Sequence, residues 1–132
     1  GQRVTLGGIT LTAHITPGHT PGCTTWTTRL QKLDIAFLCS PTVPDVYKLV
    51  GNPKYPGIID DYRVQFAFLR SIHPDIFLGS HGSFFDLARK SAALRKHPKR
   101  NPFIEPEGYT KFVDEMEKKF KEMVAKQTAA AQ

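Results

Sequence analysis

The spacing of apolar and polar residues changes along the chain, and each change marks an element. Residues 3–6 (RVTL) and 9–13 (ITLTA) alternate with period two around Gly7-Gly8, a pair favoured in two-residue hairpin turns. CTTWTTRL (23–30) is rich in β-branched and aromatic residues and reads as a strand. LDIAFLC (33–39) reads as its partner across a Gln31-Lys32 turn. The span 3–39 is therefore expected to be a β-meander interrupted by one stiff loop. Residues 40–57 carry four prolines and two glycines and cannot form one regular element. Loops of that length in a compact domain are usually functional or disordered.

The period then lengthens. Ile58, Ile59, Tyr62, Phe66, Leu69 and Ile72 recur at three- and four-residue steps, which predicts a helix over 58–72. His73-Pro74 ends it, because the residue before proline is pushed out of the α region. DIFLG (75–79) is a short apolar run suited to a buried strand, and SHGSFF follows it as a loop. A short basic helix is expected over 86–96 and a proline-punctuated connection over 96–108. A last helix over 108–130 places Tyr109, Phe112, Val113, Met116, Phe120, Met123 and Val124 on one stripe. The order β-β-β-β-α-β-α-α predicts an α/β layer with the sheet on one side and helices on the other. With no internal repeat and no composition shift, residues 1–132 read as a single unit.

Composition adds limits. A chain of 132 residues with 40% hydrophobic content is globular, and no apolar run approaches a membrane span. The opening GQRVTLGG has no signal-peptide pattern. Much of the formal charge of +6 lies in RKSAALRKHPKR (89–100). No aromatic residue interleaves these cations, so no nucleic-acid partner is implied, and the run reads as a solvated face and loop. Cys23 and Cys39 could pair or stay free; buried free thiols are the reading the residues favour.

Candidate chemistry rests on the histidines. His19 sits in HITPGHTPGCTTW, where Pro17-Gly18 and Pro21-Gly22 restrict the backbone and can hold an imidazole in one pose. His81 directly follows the DIFLG strand, and functional groups of α/β folds gather beyond strand C-termini. His14, at a strand end, is expected to support the His19 loop by a hydrogen bond. His73 and His97 precede prolines and read as caps or surface residues. A zinc site needs three or four protein ligands, and no HxH, HxxxH or CxxC pair is present. Spacing alone leaves the metal reading open.

Taken together, HITPGHTPGCTTWT, CSPT, YKLVGNPKYPGIIDDYRVQFAFL, DIFLGSHG, NPFI and the terminal KQTAAA resemble metallo-β-lactamases. The resemblance is to the third subclass, whose di-zinc site uses histidines and an aspartate. It covers the whole chain but corresponds to the C-terminal half of such an enzyme, so the implied fold is half of an αββα sandwich. It implies that His19 is a ligand of the first zinc and His81 of the second. It also implies that Ser40 and Thr42 bind the substrate carboxylate and that Tyr47 steadies the oxyanion, which makes 40–57 a substrate loop. Cys39 lies one position before the cysteine ligand of a sister subclass and is not read as a ligand. The family's HxHxDH motif, with four ligands, has no counterpart here. The implied activity is β-lactam hydrolysis by zinc-activated water, in a periplasmic or secreted enzyme. The isolated chain is expected to bind zinc weakly at most and to be inactive alone, needing an N-terminal half or a swapped or paired chain. A thioesterase or lactonase of the same fold, or a non-catalytic fragment, is the alternative. Some members carry a disulfide near the C-terminal region for which this chain has no cysteines, so packing is expected to supply stability.

Overall fold

The computed structural model describes residues 1–132. Its elements are β1 (Arg3–Leu6), β2 (Ile9–Ile15), β3 (Thr24–Leu30), β4 (Leu33–Leu38), α1 (Ile58–Ser71), β5 (Ile76–Gly79), α2 (Leu87–Lys96) and α3 (Pro106–Ala130). A single 3-10 turn, Gly82–Phe84, precedes α2. The order is the expected one, and most ends shift by only a residue or two. α3 starts earlier than its apolar stripe because Pro106 occupies the first helical turn, where a fixed φ and a missing N–H cost nothing. Gly7 (φ 56°) and Gly8 (φ 79°) make the tight turn between β1 and β2. No helix is long and apolar enough to cross a membrane.

The five strands lie in the order β1-β2-β3-β4-β5. All neighbours are antiparallel except β4 and β5. A parallel pair needs a crossover, and α1 with the loop before it supplies one. Register assigns the two faces. Thr12 pairs with Thr27, Thr27 with Ala36 and Ala36 with Phe77, and this row faces the helices. There Ala36, Leu38 and Phe77 join Tyr62, Phe66 and Leu69 of α1 and Tyr109, Val113, Met116 and Phe120 of α3 in one core.

The opposite face reads Val4 beside Leu11, Leu6 beside Ile9, Ala13 beside Trp26, and Trp26 beside Phe37. It is the more apolar of the two, yet no helix covers it. Leu6 is 84% exposed and Ile15 66%. Along β1–β3 the helix side is instead rich in threonine. The expected β-meander is present, but the apolar rows of β1 and β2 face away from this chain's own helices.

Two expectations are corrected. Cys23 and Cys39 are not free thiols: they form a disulfide with Cα atoms 5.7 Å apart. The antiparallel β3–β4 pairing brings the start of one strand to the end of the other, within the span a disulfide can bridge. Packing is therefore not the sole source of stability. The basic run 89–100 is also not wholly solvated. Lys90 is 1% exposed; its Nζ lies 2.7 Å from Glu105 and over the rings of Phe77 and Phe103.

Candidate metal and substrate site

Three loops emerge from one end of the sheet. The β2–β3 loop carries His19, the segment after β4 carries Ser40, Thr42 and Tyr47, and the β5–α2 loop carries His81. Leu38 pairs with Gly79 in the parallel ladder, so Ser40 and His81 each stand two residues beyond a matched pair.

α1 is the platform beneath two of these loops. Gly18 has φ +141°, and a Cβ there would meet the Tyr62 ring at 2.8 Å, so only glycine lets the loop backbone lie on that ring. The fully buried Gln65, one turn along, donates its side-chain N–H2 to Thr16 O and Ser40 O, each at 3.2 Å. It thus ties the His19 loop to the Ser40 segment. Its Oε1 is buried with no partner. The disulfide joins the same two segments covalently.

His19 Nδ1 lies 2.9 Å from the Thr42 carbonyl. A carbonyl only accepts, so Nδ1 carries the proton, and in the neutral ring Nε2 keeps a bare lone pair. That is the tautomer a metal-binding imidazole needs, with its second nitrogen committed to a backbone carbonyl. The Thr42 carbonyl also accepts from the Tyr62 hydroxyl at 2.7 Å. Burial, chiefly, raises that phenol well above its ordinary range, which keeps it a donor.

Tyr47 and Ser40 lie around this bond, and His81 makes no contact with it. Tyr47 donates its hydroxyl to His19 O at 3.0 Å, and the two rings lie 5.6 Å apart. Ser40 Oγ is 2.8 Å from Thr42 Oγ1 and accepts from the Thr42 N–H at 3.3 Å. A cleft of about 420 Å³ opens beside His19, lined also by Thr20, Tyr47, Lys48 and Tyr55. His81 precedes the 3-10 turn, is exposed, and contacts the ring of Phe84 edge-on at 5.0 Å.

His14 departs from expectation. Its ring hydrogen bond goes to Thr27 Oγ1 on β3 at 2.9 Å, not into the His19 loop, and it packs at a tilt against the Phe68 ring of α1, centroids 4.6 Å apart. Burial lowers its pKa. His14 lies on the threonine row of the helix-side face, two residues before the loop begins, so it braces sheet and helix. Sequence reasoning missed Gln65, although a glutamine inside the stripe Tyr62-Phe66-Leu69 is the one polar residue on a buried helix face. The spacing of Tyr62 marks it as core, and nothing in the pattern signals its hydroxyl's partner.

No three His, Cys, Asp or Glu side chains converge. The donor set therefore fits part of a metal site, with His19 suited to be one ligand, and does not complete one. No protein-family model matches the chain. Solved structures do match it. The native FEZ-1 metallo-β-lactamase from Legionella gormanii aligns over 97% of this chain and 50% of its own, at 43% identity and TM-score 0.93. BJP-1, a subclass B3 metallo-β-lactamase of Bradyrhizobium japonicum, aligns over 100% of this chain and 51% of its own, at 42% identity and TM-score 0.89. The fold is that of half a metallo-β-lactamase. A Cronobacter sakazakii metallo-β-lactamase adds a third match, at 37% identity and TM-score 0.91. The chain spans about half the length of the solved metallo-β-lactamases it matches. That fraction accords with the incomplete ligand set, and with a sheet that is covered on one face only.

Proposed function

We propose that this chain supplies the C-terminal share of a zinc-dependent active site that opens the β-lactam amide bond. The observation that carries the reading is the His19 Nδ1–H bond to Thr42 O, which leaves Nε2 as a preformed ligand atom. His19 and His81 would hold zinc, completed by ligands from an N-terminal half or a paired chain. Zinc, when bound, acidifies a coordinated water and polarises the carbonyl under attack. Ser40 and Thr42 would receive the substrate carboxylate, breaking their mutual hydroxyl bond to do so. Tyr47 would stabilise the developing oxyanion only by releasing His19 O, since its single proton is engaged there. The substrate is a β-lactam, and the setting is the periplasm or the exterior of the cell.

The test is reconstitution. The chain is joined or mixed with an N-terminal half bearing an HxHxDH motif, and zinc content and hydrolysis of a chromogenic cephalosporin are measured. Two zincs per assembly with turnover, against at most weak zinc binding by the chain alone, is the expected result. A thioester cleaved faster than any β-lactam would overturn the substrate assignment.

A further inference from the structure

We propose that Tyr62 is a positioning residue for His19: its hydroxyl holds the Thr42 carbonyl where that carbonyl takes the His19 Nδ1 proton, and so keeps Nε2 bare. The hydroxyl lies 2.7 Å, and Nδ1 2.9 Å, from the same oxygen. A carbonyl oxygen has two lone pairs, and these two donors use both. Tyr62 can act as the fixed member because the core sets its place. It is fully buried, its ring supports Gly18 from below, and it stacks on Phe120 at 5.1 Å.

Thr42 is the member that needs holding. It lies outside any strand or helix, between Pro41 and Pro44, with no ladder hydrogen bonds to orient its peptide. Its own N–H is spent on Ser40 Oγ. Without the Tyr62 hydroxyl, the carbonyl would be anchored by the imidazole alone and free to turn toward water. The ring would then drift to the Nε2–H form that free neutral imidazole favours, and the ligand atom would be blocked by a proton. This inference rests on the metal reading for its consequence, but the tautomer itself is a property of the metal-free chain.

The test reads the ring directly, on the 13C,15N-labelled 132-residue chain without metal, at alkaline pH. Two-bond nitrogen–proton correlations should show His19 protonated at Nδ1. In Tyr62→Phe, a volume-conserving change, the ratio of Nδ1–H to Nε2–H should fall by about threefold to tenfold, the size of one net hydrogen bond. An unchanged ratio in a folded variant overturns the proposal. Should that variant fail to fold, the unsubstituted chain still decides. A slowly exchanging Tyr62 hydroxyl proton, with coupling from His19 Nδ1–H across to the Thr42 carbonyl, supports the proposal; their absence overturns it. Failure of the reconstituted assembly to bind zinc or hydrolyse β-lactam would sink the functional reading without altering this result.

Discussion

His19 depends for its chemistry on a carbonyl that is distant in sequence and adjacent in space. Pro17, Gly18, Pro21 and Gly22 stiffen its loop, but Thr42 decides which ring nitrogen is free. That division explains what the residues alone could reveal. A histidine boxed by Pro-Gly pairs was legible as a candidate ligand; its tautomer was not, because Thr42 O and the Tyr62 hydroxyl meet only in the fold. His81 is the complementary case. It makes no side-chain hydrogen bond here and meets the edge of the Phe84 ring, so no hydrogen bond within this chain selects its tautomer. In the reconstituted assembly, His81→Ala should remove about one zinc and lower turnover by on the order of a hundredfold or more, as loss of a zinc ligand does. Zinc analysis beside a steady-state assay checks it. Normal zinc content and rate would show that His81 is no ligand.

The loops of this site are held by one another and by α1 beneath them. Tyr62 and Gln65, one turn apart on α1, reach three backbone carbonyls in two loops, and the disulfide closes the β3–β4 hairpin above them. α1 and α3 were readable because their apolar periods are long and regular, and the strands from their alternation, their β-branched content or a short apolar run. The disulfide was not, since pairing depends on the β3–β4 register, which strand propensity does not specify. Its two cysteines are 16 positions apart, and closing a loop of that size is worth about 3 kcal/mol. Replacing both with serine should therefore lower Tm by on the order of 10 °C. An unchanged Tm would mean that the hairpin alone already imposes the constraint. Lys90 and Glu105 give a second, asymmetric expectation. Lys90 is buried, whereas Glu105 is 43% exposed and can rehydrate if left alone. Lys90→Met should thus cost about 1 kcal/mol or less, while Glu105→Gln, which strands a buried cation, should cost about 3 kcal/mol. Denaturant unfolding of both variants checks the order. The reverse ranking would place the energetic weight of this contact in packing around the lysine stem.

At the scale of the molecule, the two sheet faces carry the argument. The face toward α1 and α3 is closed by aromatic packing. The other presents Val4, Leu6, Ile9, Ile15 and Phe37, all substantially exposed, in rows that the strand register makes contiguous. Monomeric soluble proteins rarely leave so broad an apolar surface uncovered. The same chain aligns with half the length of each solved relative and gathers no three metal-binding side chains. From them we expect a further surface to cover the exposed sheet face. In isolation the nearest available cover is the same face of another copy. The purified chain should therefore self-associate, with a sedimentation coefficient that rises with concentration across the micromolar range. Phe37→Glu or Ile15→Lys puts a charge in the middle or at the edge of the apolar rows, where burial against a partner would require desolvating it. Either substitution should move the equilibrium toward monomer and, in the reconstitution, weaken pairing with an N-terminal half, while leaving the helix-side core and the His19–Thr42 bond untouched. A chain that stays monomeric at high concentration, with these substitutions silent in both measurements, would show that the apolar face is not an interface.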